Sequence, residues 1–297
     1  MTKIGYYLLF AFSYLISLIP FWLLYRISDI LFVINYYIIG YRKKVVFSNL
    51  RRVFPDKPEK EIAKLAKSFY RHFCDFLLEL VKTISIPMTS LGKRMIFTNP
   101  ELFGDLAAEN RSFALVAAHY NNWEWFNILP TKMAHAFIAI YRPLNSKSMD
   151  KLSRAIRARY NPVLVPMEGV FREAVNTRNR NQLFSIFFLA DQRPPRKNRY
   201  WTTFLGQEAS FFEGVEKLSR KLELAVVFMD MRKTGRGKYE LTLKKLFNNA
   251  AETLENEVMQ ACIREMENEI LAAPQYWLWS HNRFKHTRPE NYNLIER

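Results

Sequence analysis

The stretch "SFALVAAHYNNWEWFNILP", Ser112 to Pro130, decides the fold. Phe113–Ala118 is an unbroken apolar run of strand length, the signature of a strand buried on both faces. "HYNN" has the composition of a turn, and "WEWFNIL" begins a helical pattern. A strand that ends on a histidine and turns into a helix puts that histidine where open α/β sheets bind their ligands, beyond the carboxyl end of a strand.

The same alternation continues on either side. Upstream, Lys60–Thr83 carries Ile62, Leu65, Ala66, Phe69, Phe73, Phe76, Leu77 and Leu80 at three- and four-residue steps, a long amphipathic helix. Downstream, strand-like Ala136–Tyr141 precedes helical Ser146–Tyr160. Short strand Pro162–Pro166 precedes helical Val170–Arg178. Leu183–Ala190 reads as a strong strand and Phe211–Lys221 as a helix. Leu224–Met231 and Tyr239–Leu246 read as strands flanking a Gly235-Arg236-Gly237 hairpin turn, and Thr253–Leu271 as a long helix. This order predicts an α/β fold, a largely parallel mixed sheet flanked by helices.

The N-terminus is of another kind. Ile4–Tyr25 holds no charge and is long enough to cross a hydrocarbon core of roughly 30 Å. Pro20 offers an alternative, a break that lays the segment along the membrane surface. A second apolar run, Ile30–Ile39, is short for a span. Arg42, Lys43, Lys44, Arg51 and Arg52 follow, and cations beside an apolar anchor mark the cytoplasmic side. The expected organisation is a membrane anchor and interfacial segment over 1–40, then one catalytic domain over 41–297 whose first part, 41–95, is a helical lead-in.

The chain of 297 residues has 44 Lys+Arg against 28 Asp+Glu, a formal net charge of +16. That excess points to anionic partners such as lipid headgroups, phosphorylated substrates or an acidic carrier. Nucleic acid would satisfy the charge, but no nucleic-acid motif is present. Two distant cysteines, Cys74 and Cys262, give neither a disulfide framework nor a zinc-binding spacing.

His119 and Glu124 are five positions apart. On one helix that separation turns through about 500°, so the two side chains converge only if the backbone changes direction between them. The turn supplies the change. A neutral imidazole can then accept a hydroxyl proton while a carboxylate holds its other ring nitrogen. No serine or cysteine lies between them as a covalent nucleophile, which favours direct attack by a substrate hydroxyl or amine on an activated acyl group. Equally, Asn121-x-x-Glu124 is a plausible capping box, with Glu124 serving the helix alone.

"HYNNWE" has the His-x4-Asp/Glu form of the glycerolipid acyltransferase superfamily. Several further stretches resemble one branch of it, the lipid A late acyltransferases. They are "VVFSNLRRVFPDKPEKE" from Val45, "YRP" at Tyr141–Pro143, "LADQ" at Leu189–Gln192, "FLGQEAS" from Phe204 and "YWLWSHNRFKHTRPE" from Tyr276. The blocks occur in the family's order from the anchor almost to the end of the chain. The resemblance implies an enzyme at the cytoplasmic face of an inner membrane that needs no metal or cofactor. Its donor would be the acyl carrier protein thioester and its acceptor an anionic lipid A precursor, with His119 as general base and Glu124 as its orienting carboxylate.

Other residues carry weaker expectations. Arg142 follows a strand and would offer a cation near His119. Asp191 and Gln192 end another strand, where they would position the acceptor or open a turn. Glu213 lies in "FEG", which resembles the phosphate-gripping "F-P-E-G-T-R" block of glycerol-phosphate acyltransferases but lacks its proline and Thr-Arg. Lys147, Lys151 and Arg154 form a basic helical stripe, either a docking face for the carrier or a solvated surface. Arg283 and Lys285 would extend a basic face. Two rival readings remain open: an acyltransferase with a different lipid acceptor, and a membrane-tethered binding protein for anionic lipid without chemistry.

Overall fold

The computed structural model of the chain describes residues 3–141, 146–196 and 198–296. The uncharged N-terminal run does not form one rod. Helix α1 (Lys3–Leu18) stops before Pro20, and α2 (Phe21–Val33) starts after it and continues as a π-turn over Ile34–Ile39. Proline lacks the N–H that a helix interior needs, so the chain turns there. The expected span Ile4–Tyr25 is therefore divided, and the longest apolar helix is Phe21–Ile39. Both pieces keep apolar side chains in the open: Leu8, Phe12, Leu15, Trp22, Ile30, Ile38 and Ile39 are each more than half exposed.

A helical lead-in follows, α3 (Lys43–Val53), α4 (Glu59–Lys82) and α5 (Met88–Gly92). The predicted periodicity of α4 buries Ile62, Ala66, Phe69 and Phe76 on one side. The remaining elements alternate as follows: β1 (Met95–Phe97), α6 (Glu101–Ala108), β2 (Phe113–Ala117), a 3₁₀ segment (Trp123–Thr131), β3 (Ala136–Tyr141), α7 (Lys147–Ala158), β4 (Val163–Pro166), α8 (Val170–Asn179) and β5 (Phe184–Leu189). A small antiparallel ribbon, β6 (Trp201–Phe204) with β7 (Gln207–Ser210), is followed by α9 (Gly214–Lys221), β8 (Ala225–Gly235), β9 (Lys238–Phe247) and α10 (Glu257–Ala272).

Seven strands form one sheet in the order β1-β9-β8-β2-β5-β3-β4. All its pairings are parallel except the β8–β9 hairpin, as the alternating sequence pattern requires. β2 lies at the centre, and every one of its residues is buried. Ala114 and Val116 face one apolar core, while Phe113, Leu115 and Ala117 face the other, so the continuous apolar run is the direct consequence of helices on both sides.

The β8–β9 hairpin tip docks onto α2. Arg236 donates to both carboxylates that flank it, Asp29 (2.7 Å) and Asp75 (2.7 Å), and to the Tyr25 carbonyl (3.2 Å). Gly237 sits at φ +66°, and a Cβ there would lie 1.7 Å from the Tyr25 hydroxyl. That hydroxyl donates to Glu79, a fully buried carboxylate (3.0 Å). Gly237→Ala should therefore cost backbone strain plus a hydrogen bond to a buried carboxyl group, together about 3 kcal/mol. A drop of several degrees in Tm would register it, and an unchanged Tm would refute the close packing.

Candidate active site

The register of the sheet builds the site. β2 and β5 pair in parallel from Phe113↔Ser185 to Ala117↔Leu189. Continuing that pairing two residues past the strands brings His119 opposite Asp191. The Asp191 Oδ1 accepts the His119 backbone N–H (2.9 Å) and the ring Nδ1–H (2.7 Å), while Oδ2 accepts the Trp277 indole N–H (2.8 Å). The carboxylate is buried, and burial alone would raise its pKa. The imidazole charge and these three donors overcome that and hold it down at about 2. An ionised acceptor on Nδ1 puts a proton there, so that whenever the ring is neutral its lone pair is on Nε2. The His119 side chain keeps 14% exposure, enough for a substrate atom to reach it.

Glu124 does not hold His119. Its carboxylate takes the Arg157 guanidinium in a two-pronged pair, 2.7 Å and 3.2 Å. The chain turns between the two residues as expected, through Asn121 at φ +54°, but the turn directs Glu124 toward α7. The partner of His119 Nδ1 in this structure is Asp191, first read as an acceptor contact or a turn residue, and the place expected for Glu124 is filled by it here. Gln192 is half-buried one residue beyond it. Arg142 lies outside the described residues. Glu213 is the N-cap residue just before α9, pairs with Lys217, and lines a 910 Å³ cleft with Arg199, Arg220 and Lys221, a cleft whose walls include neither His119 nor Asp191.

A network fixes the turn itself. Asn122 Nδ2 donates to Glu79 (2.7 Å), which also receives the Tyr239 hydroxyl (2.8 Å). Asn121 Nδ2 donates to the Met231 carbonyl (2.7 Å). From the C-terminal segment, the Leu278 N–H donates to the His119 carbonyl (3.1 Å), and the Tyr276 carbonyl accepts the Asn121 N–H (3.0 Å). Trp277 is thus a site residue, which the sequence presents only as part of the C-terminal block. Its neighbour His281 accepts the Arg193 N–H (3.1 Å), and burial pushes its pKa down to about 4, so it is neutral at physiological pH.

Arg283, expected on a basic face, is instead 1% exposed. It donates to the Ser210 carbonyl (2.7 Å) with its guanidinium over Phe211. In the basic stripe of α7, the Lys151 ammonium lies over the Tyr6 ring of α1, 4.1 Å from its centroid, so part of that stripe packs on the N-terminal helix. His72 and His135 are buried against backbone carbonyls. Among the described residues, no group of three His, Cys, Asp or Glu side chains is placed to hold a metal ion.

A half-open histidine at a strand end, hydrogen-bonded to a buried carboxylate within a helix-flanked parallel sheet, is the arrangement that a general base requires. The comparisons give the class of protein. Residues 1–286 match the family model described as bacterial lipid A biosynthesis acyltransferase, and the chain belongs to this family. It is an acyltransferase. It is 25% identical over 250 residues to the lipid A biosynthesis palmitoleoyltransferase of Escherichia coli (strain K12), covering 84% of this chain and 80% of that one. It is 23% identical over 286 residues to the lauroyltransferase of the same organism, covering 93% and 90%. Among solved structures, the 1-acyl-sn-glycerophosphate acyltransferase of Thermotoga maritima matches with a TM-score of 0.38 at 18% identity, over 85% of this chain and 99% of that one.

Proposed function

We propose that the chain transfers a fatty acyl group from an acyl carrier protein thioester to a hydroxyl of a lipid A precursor at the cytoplasmic face of a membrane. The observation that carries the mechanism is the Asp191–His119 pair, which leaves Nε2 as the free base. In this mechanism Nε2 takes the acceptor's hydroxyl proton as the oxygen attacks the thioester carbonyl. The carbon–sulfur bond then breaks, and the thiolate leaves with the proton returned from the imidazolium. Asp191 stabilises that imidazolium between the two transfers. A thioester is already activated, so the protein needs to supply only position, a base and charge stabilisation.

An apolar wall beside the base supports a fatty substrate. Tyr41, Phe73, Phe76, Trp123 and His119 follow one another with ring centroids 6.0, 6.5, 4.1 and 5.2 Å apart. Tyr41 lies just beyond the exposed Ile38 and Ile39, so this row of rings leads from the outward apolar face of the N-terminal helices to the imidazole. That face suits burial in the interfacial region of a bilayer, with α1 and α2 lying along the surface.

The test is incubation with carrier proteins loaded with chains of different length, together with lipid A precursors, lysophospholipid and glycolipid acceptors. Product masses then assign the donor and acceptor. Transfer to lipid A precursors from the carrier thioester is the expected result. Efficient use of acyl-CoA with no use of the carrier would overturn the donor assignment.

A further inference from the structure

A second basic cavity of 670 Å³ lies against α2, whose outward side is apolar, between α2 (Asp29, Phe32, Val33), α4 (Arg71, Asp75), the β8–β9 hairpin (Lys233 to Arg236) and Tyr276. Three cations line it, and they are not equivalent. Arg236 is committed to Asp29 and Asp75, one positive charge shared between the cavity's two carboxylates, so the three cations exceed the carboxylates by one charge. Ser28 adds another donor to Asp75 (2.7 Å). Lys233 and Arg71 remain.

Lys233 is unusually placed for a lysine. Its side chain is 10% exposed. Its Nζ lies 3.3 Å from His72 Nδ1, 3.7 Å from Asp75 Oδ2 and 5.4 Å from the Tyr276 ring centroid. His72 is fully buried, and burial together with the neighbouring ammonium keeps it neutral. Its Nε2–H donates to the Asn121 carbonyl, so Nδ1 is left as an acceptor for Lys233. One hydrogen bond to a neutral ring and one longer ion pair leave an ammonium with three donors short of partners. Arg71, exposed on α4, has no ion pair within 4 Å among the described residues, its charge acts on Asp29 only at longer range, and it rests over Phe32. Exposed Ile30, Leu31 and Val33 flank the cavity on α2.

We infer that this cavity is an anion site that takes the phosphate of a membrane lipid headgroup, gripped by Lys233 and Arg71 while the lipid's chains lie against α2. A phosphate supplies the oxygens these donors lack, and the arginine fork and lysine point charge suit it. The inference is independent of the acyl-transfer reading. It is geometrically linked to the active site, because Lys233 leads through His72 to the Asn121 carbonyl in the turn after His119.

The test uses the full chain in detergent micelles carrying phosphatidic acid or phosphatidylcholine, with retained lipid counted by native mass spectrometry. Lys233→Met combined with Arg71→Gln should weaken phosphatidic acid retention roughly tenfold or more and change phosphatidylcholine far less, because its phosphate has fewer free oxygens and a choline that offsets its charge. Lys233→Arg should preserve retention. Arg71→Gln alone, on an exposed face where folding is not at stake, should also lower it. Equal retention of phosphatidic acid by wild type and Arg71→Gln would overturn the site, whatever the double variant does. Inorganic phosphate is the second arm. Displacement of the lipid by phosphate shows that the site reads the phosphate group from either source, and persistence of the lipid shows that the apolar flank is needed as well.

Discussion

His119→Ala is expected to lower the rate of acyl transfer by about 10²- to 10⁴-fold, the usual contribution of a positioned general base. The fold should survive, because the backbone at this position does its structural work without the ring: the His119 N–H still reaches Asp191, and its carbonyl still receives the Leu278 N–H. Asp191 would lose one of three donors, and a cost of about 1–2 kcal/mol in stability follows. Initial rates with a carrier thioester, alongside Tm and lipid retention, separate the effects. A variant that folds, retains lipid and transfers at the wild-type rate would remove the imidazole from the reaction.

Strands were legible because a parallel central sheet imposes an unmistakable pattern. β2, β3 and β5 are apolar on both faces, and the predicted boundaries lie within a residue of those observed. The small ribbon β6–β7 and the three-residue β1 were not legible, since neither is long enough to show a period. The break between α1 and α2 was written in Pro20 as an alternative.

The site was half legible, for a physical reason. His119 announces itself by standing at the end of an apolar run. Its partner is 72 positions away, and it lies opposite only because β2 and β5 are neighbours in a particular register, which no local spacing encodes. Glu124, five positions off, was the nearer candidate by sequence, yet three-dimensional distance is set by the sheet and by the direction of the turn. Trp277 gave no local signal, and Arg283 was misread, for a related reason. An aromatic or basic residue in a C-terminal segment looks like packing or surface until that segment is seen to pass under the active-site turn.

Asp191→Asn should match the loss at His119, about 10²- to 10⁴-fold in kcat, through the tautomer rather than the base itself. An amide cannot satisfy the site in either orientation. With its oxygen toward the His119 N–H groups, its NH₂ opposes the Trp277 indole N–H, donor against donor. Turned over, the NH₂ faces the Nδ1 position, which must then give up its proton, and Nε2 becomes protonated and useless as a base.

The variant also changes the acid limb of stability. Asp191 titrates at about 2 when folded, against its ordinary value of 3.8, so it stabilises the fold above pH ~4 and loses that contribution as the pH falls toward 2. The wild type should therefore surrender about 2 kcal/mol across that window that the asparagine variant does not, and the gap in Tm between the two should narrow on acidification. A constant gap would mean that the carboxylate is not held ionised by His119 and Trp277. Glu124→Gln supplies the contrast. It should act through Arg157, so that Glu124→Gln, Arg157→Gln and the double variant lose activity and stability to similar extents, a strongly non-additive cycle. If the Glu124 effect instead persists undiminished without Arg157 and shifts the pH profile of kcat as Asp191→Asn does, then Glu124 serves the imidazole in the working enzyme and the partner observed at Nδ1 does not.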